Sequence, residues 1–314
     1  MFKKRKALII IFSILLACFT GYVALDTFVI PRAYSVTEET TVSESTLLSA
    51  SSEDDEETER IEDSEPLAAS SDPVITDTSY EDGNISISIN EYREYDTTIY
   101  VADVQVSSPE YLKTAFASGI YGKNIKASTS EIAGENSAIL AVNGDFYGSQ
   151  ESGYVIRDGV LYRNTSAGRE DLVIYEDGSF EIINESEVSA EELLEQGAFQ
   201  VLSFGPALVT DGSIAVDEND EVDKAMNSNP RTAIAVIDEL HYLFIVSDGR
   251  TNESEGLSLY QLAEFVQSLG ADCAYNLDGG GSSTMIFNGQ LVNNPTTNGN
   301  RVSERSVSDI VFIG

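Results

Sequence analysis

This chain predicts an α+β fold: a strand-rich mixed sheet domain with several hairpins and a few packed helices, preceded by a single transmembrane helix and a disordered acidic stalk. Three observations predict it. Short apolar or alternating runs separated by Asp-Gly and Asn-Gly turns recur through the C-terminal body. Only two segments of that body carry a well-capped helical pattern, and the first quarter divides into an apolar run and an acidic tract. With 314 residues the chain has room for one large or two ordinary domains, and the part after residue 73 is long enough to bury a core.

The elements follow in order. Residues 1–6 form a basic tail with Lys3, Lys4, Arg5 and Lys6, and residues 7–25 are uncharged, mostly apolar and about the length that crosses a bilayer. This predicts a single-pass anchor in the cell membrane, N-terminus cytoplasmic and body extracellular. A cleaved signal peptide competes, since Leu15-Leu16-Ala17-Cys18 resembles a lipoprotein cleavage site. The apolar run continues through Tyr22, Val23, Ala24 and Leu25, which favours an uncleaved anchor. Residues 26–78 are expected to be linker, rich in Ser, Thr, Glu and Asp and including Glu53, Asp54, Asp55, Glu56 and Glu57. Such a composition buries too little apolar surface to fold, and it reads as a self-repelling stalk that holds the body off an anionic membrane. A calcium-binding or partner-binding tract is the alternative.

The domain is expected over residues 79–314. Segments 85–89 and 98–106 read as strands, and 109–117 as a helix. Hairpins are expected at Asp158-Gly159, Asp177-Gly178, Asp211-Gly212 and Asn288-Gly289. A helix is expected over 189–196, where Ser189 and Glu192 form a capping box and Gly197 stops it. A second is expected over 258–269, with Leu259, Leu262, Ala263, Phe265, Val266 and Leu269 on one face and Ser258 and Gln261 as its box. It leads directly into an apolar strand, Cys273 to Leu277.

The inventory of reactive groups narrows the chemistry. The formal charge of −35, from 53 acidic and 18 basic residues, argues against a nucleic-acid partner. One histidine, His241, lies in a strand pattern and reads as structural; two cysteines leave Cys273 as a buried thiol. A Ser-His-Asp site, a multi-histidine zinc site and an HExxH helix do not fit these counts. Catalysis must use carboxylates, Arg, Lys, Tyr, hydroxyls and backbone.

Asp278 follows the 273–277 strand and precedes Gly279, Gly280 and Gly281, whose ordering costs backbone entropy that a ligand's close approach would justify. Loop N–H groups with the hydroxyls of Ser282, Ser283 and Thr284 could cradle an anion; a plain glycine turn with a capping Asp is the competing reading. Three other apolar runs meet polar clusters: Asn143-Gly144-Asp145-Phe146-Tyr147, Asn229-Pro230-Arg231-Thr232-Ala233, and Ser247-Asp248-Gly249-Arg250. Each alone could be a turn, a core aromatic or a surface ion pair.

Together, these four ordered blocks resemble the phosphodiester glycosidase family, whose members include the animal uncovering enzyme and bacterial exopolysaccharide-associated proteins. The resemblance covers residues 136–314, without the cysteine-rich modules that follow the domain in the animal enzyme. It implies hydrolysis of a sugar joined through its anomeric carbon to a phosphodiester. On that resemblance Asp278, Asp145 and Asp248 are the catalytic candidates, and Arg231, Arg250, Gly279, Gly280, Gly281, Ser282 and Ser283 receive the phosphate. Asn143, Phe146, Tyr147 and Asn276 contact the sugar. Asp145, Arg231, Arg250 and Asp278 are then expected to line one cleft. The chemistry suits the inventory: a carboxylate meets an oxocarbenium-like centre, and guanidinium groups receive the departing phosphate.

Two further readings stay open. One is a polysaccharide-binding or assembly protein of the same fold without turnover. The other is a phosphodiesterase with Ca²⁺ or Mg²⁺ on Asp145, Asp248 and Asp278. The sequence requires no cofactor and identifies no protein partner; a membrane and a phosphodiester-linked carbohydrate are the expected partners.

Overall fold

The computed structural model describes residues 2–34, 72–221 and 228–314. The acidic cluster from Glu53 to Glu57, and most of the expected linker, lie outside the described residues.

The strand-rich α+β class is what the chain adopts. Its largest sheet has nine strands in the order Ser213–Ile214, Ala207–Thr210, Cys273–Leu277, Arg231–Asp238, His241–Ser247, Thr97–Val106, Ile85–Glu94, Ser79–Glu81 and Val74–Ile75. A five-stranded sheet follows the order Gln290–Leu291, Met285–Phe287, Leu140–Asn143, Asp309–Ile313, Leu112–Phe116. A third follows Val160–Arg163, Val155–Arg157, Ala198–Leu202, Glu170–Tyr175, Phe180–Asn184. Every strand pairing in these sheets is antiparallel, which sharpens the expected mixed sheet. All four expected hairpins form; at Asp158-Gly159, Asp211-Gly212 and Asn288-Gly289 both residues take the positive φ that a tight right-twisted turn needs, and at Asp177-Gly178 the glycine alone does.

Alternation along the strands sets the layers. On Arg231–Asp238, Ile234 joins Phe244, Tyr275, Leu140 and Val311 in a central core between the nine-stranded and five-stranded sheets. Ala233 and Ala235 face the other way, against Leu259, Leu262 and Phe265 of the helix Leu259–Ser268. Full burial of each such large side chain contributes about 1.5–3 kcal/mol. The two expected helices, Ala190–Glu195 and Leu259–Ser268, both carry the anticipated capping boxes. A further helix, Thr129–Glu135, covers the outer face of the five-stranded sheet with Ile132 and Ala133. It is too short, with too few apolar residues, to show a helical period.

The helix expected over 109–117 does not form. A single 3-10 turn, Pro109–Tyr111, is followed by the strand Leu112–Phe116, because Leu112, Thr114 and Phe116 alternate inward and pair with the C-terminal strand. Period two wins over the proline start signal.

The N-terminal helix Phe2–Phe28 contains a stretch, Ile11–Phe28, long and apolar enough to cross a membrane. Its side chains Ile11, Phe12, Leu15 and Phe19 are exposed. Both ends of the expected linker are ordered: Arg32–Ala33 forms a strand paired with Gly122–Lys123, and Val74–Ile75 joins the nine-stranded sheet.

Candidate active site

Antiparallel register brings the motifs together. Leu277 ends its strand opposite Thr232, and Arg231 lies opposite Ser247. The end of one strand, the start of the next and the end of the third therefore lie together along one rim of the sheet, where its inner strands begin and end. Asp278, Arg231 and the Asp248-Gly249-Arg250 turn all emerge there. Asn143 closes the same region from the other sheet, its amide donating to the Asp278 carbonyl at 2.6 Å.

A cleft of about 160 Å³ opens at this edge, lined by Phe204, Asn229, Arg231, Arg250, Asn276, Asp278, Gly279, Gly280 and Arg305. Asp278 is its one aspartate. Its Oδ2 accepts hydrogen bonds from Ser282 Oγ at 2.6 Å and Arg305 Nη2 at 2.9 Å. Its Oδ1 receives no donor among the described residues. Burial pushes the Asp278 carboxyl above its ordinary value, and Arg305, Ser282 and Lys126 oppose that rise.

Three arginines meet at the cleft although the chain has only 18 basic residues. Arg231 Nη2 lies 2.9 Å from Glu221 Oε2, and its Nε donates to the Leu257 carbonyl. Arg305 is paired with Asp278. Arg250 has no carboxylate partner among the described residues: it donates to Asn229 Oδ1 at 2.9 Å and to the Thr297 carbonyl at 2.6 Å. Burial first, and then the like charge of Arg305, lower its affinity for a proton. That mutual repulsion is relieved by an anion.

The glycine loop is shaped by these cations. Gly280 has φ +63°, and a Cβ there would stand 2.8 Å from Arg250 Nη2. The loop is not an open nest of amides, because the N–H of Gly280 donates to Pro230, that of Ser282 to Gly279 and that of Ser283 to Gly280. Ser282 Oγ serves Asp278 and Arg305 instead, and the buried Ser283 hydroxyl has no partner among the described residues. Asn276 lines the wall with its amide on the Gly205 carbonyl, leaving its Oδ1 buried and unpartnered.

Other expected site residues take different places. Asp145 is fully buried beneath the floor, with Oδ1 accepting from the Tyr147 N–H and Oδ2 from Arg157 and the Ser203 N–H. Arg157 also pairs with Asp309 at 2.8 Å, so two aspartates share one sealed guanidinium. Asp145 is not on the cleft wall: it is fully buried, and both its oxygens are held by internal donors. Asp248 likewise holds the Asn294 backbone and side chain at 2.8 and 2.9 Å. Asn143 is a strut: Oδ1 accepts from Thr232 Oγ1 and the Thr284 N–H. Tyr147 is 1% exposed and stacks on Tyr121, its ring 5.3 Å away. Phe146 alone of that motif stands half-buried beside the cleft, with Lys126 Nζ 5.1 Å and Arg305 Cζ 5.9 Å from its ring. Asp145 holds it there, since the bond to the Tyr147 N–H fixes the turn in which Phe146 takes φ +67°.

Among the described residues no three Asp, Glu, His or Cys side chains gather as metal ligands, so the three-aspartate cation site does not form. His241 pairs with Asp103 at 2.9 Å, at the end of its strand away from Ser247. Burial pushes the Cys273 thiol up to about 12. Arg305 and Lys126 escaped the sequence reading. Their one signal was scarcity, since a positive residue in so acidic a chain needs a reason.

A family model described as phosphodiester glycosidase matches residues 136–314, more than half of the chain. The chain belongs to the phosphodiester glycosidase family. All the cleft-lining residues fall within the matched span. Among relatives, the mouse N-acetylglucosamine-1-phosphodiester alpha-N-acetylglucosaminidase is 31% identical over 176 residues, 50% of this chain and 33% of the mouse protein. The SPbeta prophage-derived uncharacterized protein YomE of Bacillus subtilis (strain 168) is 29% identical over 202 residues, 62% of this chain and 31% of that protein. The chain thus spans about a third of the length of each of these relatives. The zebrafish N-acetylglucosamine-1-phosphodiester alpha-N-acetylglucosaminidase catalytic domain, auto-inhibited by its pro-peptide, shares the fold. Its TM-score is 0.58 at 23% identity, over 73% of this chain and 82% of that one. A hypothetical protein from Synechocystis also shares the fold, with TM-score 0.56 at 15% identity, over 73% of this chain and 62% of that one.

Proposed function

We propose that this phosphodiester glycosidase domain hydrolyses the sugar C1–O bond of a sugar 1-phosphodiester, with the helix Phe2–Phe28 as its membrane anchor and the domain outside the cell. The observation that carries the reading is the meeting of one open carboxylate oxygen, Asp278 Oδ1, with three arginines in a single cleft. Asp278 then faces the anomeric carbon, as nucleophile or as base for water. Arg250 takes the phosphodiester oxygens, and Arg231 exchanges Glu221 for them. Water attacks C1, or Asp278 attacks and water then cleaves the glycosyl ester; the C1–O bond to phosphate breaks with its electrons on oxygen, and the leaving phosphate monoester gains a second charge. Its second pKa near 6 makes it a good leaving group, so neighbouring cations matter more than a strong acid. Asn276 Oδ1 accepts from a sugar hydroxyl or amide, and the Phe146 ring packs on the sugar. Asp145 is a positioning residue that acts through Phe146.

The test uses an N-acetylglucosamine 1-phosphodiester, the substrate type in the mammalian relatives' names, and the matching aryl glycoside without phosphate. Release of free sugar from the phosphodiester is expected to dominate. Arg250→Ala should cut that preference about 10- to 100-fold, the worth of one charged hydrogen bond. Tight binding with no sugar released would replace hydrolysis by a binding role.

A further inference from the structure

The strand that follows the apolar helix gives the site a definite address. Arg32–Ala33 pairs with Gly122–Lys123, the Tyr34 N–H donates to the Tyr121 carbonyl, and the Tyr34 and Tyr121 rings lie 5.8 Å apart. The Asn124 side chain donates to the carbonyls of Thr27 and Ile30, capping the end of the helix. The chain that would span the membrane is therefore clamped onto the domain within a few residues of Phe28.

The clamp also adjoins the cleft. The Asn124 N–H donates to Gly148 at 3.0 Å, in the same turn that sets Phe146. Lys126 stands over the Phe146 ring and close enough to Asp278 to oppose the rise in its pKa. Lys126 lies three positions on from Lys123, at most about 10 Å of extended chain.

We infer that helix, clamp and cleft form one unit at the bilayer surface, and that the substrate is a membrane-borne glycosyl phosphodiester whose lipid aglycone lies in the same bilayer. This rests on the glycosidase reading above. Water adds its oxygen to C1 of the sugar and loses a proton to solvent, the C1–O bond breaks with its electrons on the phosphate oxygen, and the lipid phosphate stays in the membrane. Confinement of enzyme and substrate to one surface raises their effective concentration.

The full chain, with Cys18→Ser, is reconstituted in phosphatidylethanolamine and phosphatidylglycerol vesicles. Arg32→Cys with Lys123→Cys, which face each other in the ladder, should form a disulfide under mild oxidation. Persistent free thiols would overturn the clamp. N-acetylglucosamine 1-phosphate esterified to a long-chain isoprenoid alcohol should then be hydrolysed with kcat/KM about 10- to 100-fold above its methyl ester. Gly122→Ala sets a methyl group against the Arg32 carbonyl and the Ala33 Cα, and Tyr34→Pro removes the N–H that donates to the Tyr121 carbonyl from the anchor side. Both should keep the methyl ester rate and lose the lipid preference. Equal kcat/KM for the two esters, or a preference that survives both variants, overturns the inference. Formation of the disulfide with neither ester hydrolysed removes the glycosidase reading and the lipid substrate with it, and leaves the clamp.

Discussion

Two aspartate–arginine contacts lie one above the other at this end of the molecule, and they differ in what water can reach. Asp278 meets Arg305 at 2.9 Å with the Arg305 side chain 39% exposed, whereas Asp145 and Asp309 meet Arg157 at 3.0 and 2.8 Å with all three sealed. The upper carboxylate keeps Oδ1 free at the cleft; below, Asp145 spends both oxygens on Arg157 and backbone N–H groups, while Asp309 gives Oδ2 to Arg157 and keeps Oδ1 buried and unpartnered among the described residues. The same chemical pair thus faces an open cleft in one setting and is sealed in the other. Access, rather than residue type or motif, separates them.

The sharpest way to break the comparison is to remove charge from each. Asp278→Asn should lower kcat/KM for an N-acetylglucosamine 1-phosphodiester by about 10³- to 10⁴-fold while the urea midpoint stays close to wild type. Arg157→Met should do the reverse, costing about 3–5 kcal/mol of stability because it leaves two buried carboxylates unpaired, as read from urea unfolding. If Arg157→Met folded as well as wild type and lost only activity, the division of roles would be wrong.

A smaller effect sharpens the upper site. The Asp278 carboxyl lies above its ordinary value and Arg305 opposes the rise, so Arg305→Ala should push it higher still. A nucleophile or base must be ionised, so the acid limb of kcat/KM should move to higher pH, by about one unit. An unmoved limb would detach Arg305 from Asp278.

The smallest expected effect concerns the lower cluster. Burial, with Asp145 beside it, pushes the Asp309 carboxyl up to about 7 against the pull of Arg157. The native chain therefore holds a proton there that the unfolded chain releases near pH 4. This contribution to stability is complete below about pH 4 and lost as pH rises through about 7. Asp309→Asn should flatten the fall of the urea midpoint between pH 5 and 8.5.

Much of the fold was legible because hairpin turns and capping boxes are local. Asp-Gly and Asn-Gly pairs fix strand ends, and Ser258 with Gln261 fixes the helix that buttresses Asp278. The 109–117 segment misled because a proline start signal is local too, whereas the partner strand that decides Leu112–Phe116 lies nearly two hundred residues away. The site divides along the same line. Asp278, Arg231, Arg250 and Asn276 were readable as polar groups at strand ends, and register brings them into one cleft. Asp145 and Asn143 looked identical in kind, but only packing shows that a second sheet seals them. Arg305 sits in an aperiodic stretch before the last strand, where no pattern marks it.

Hydrolysis of an N-acetylglucosamine 1-phosphodiester in ¹⁸O-labelled water addresses the central claim most directly. With Asp278 facing the anomeric carbon and the arginines holding the phosphate, the label should enter the sugar hydroxyl at C1 and the phosphate should carry none. Label in the phosphate would mean P–O cleavage, and would contradict the placement of Asp278 at the sugar.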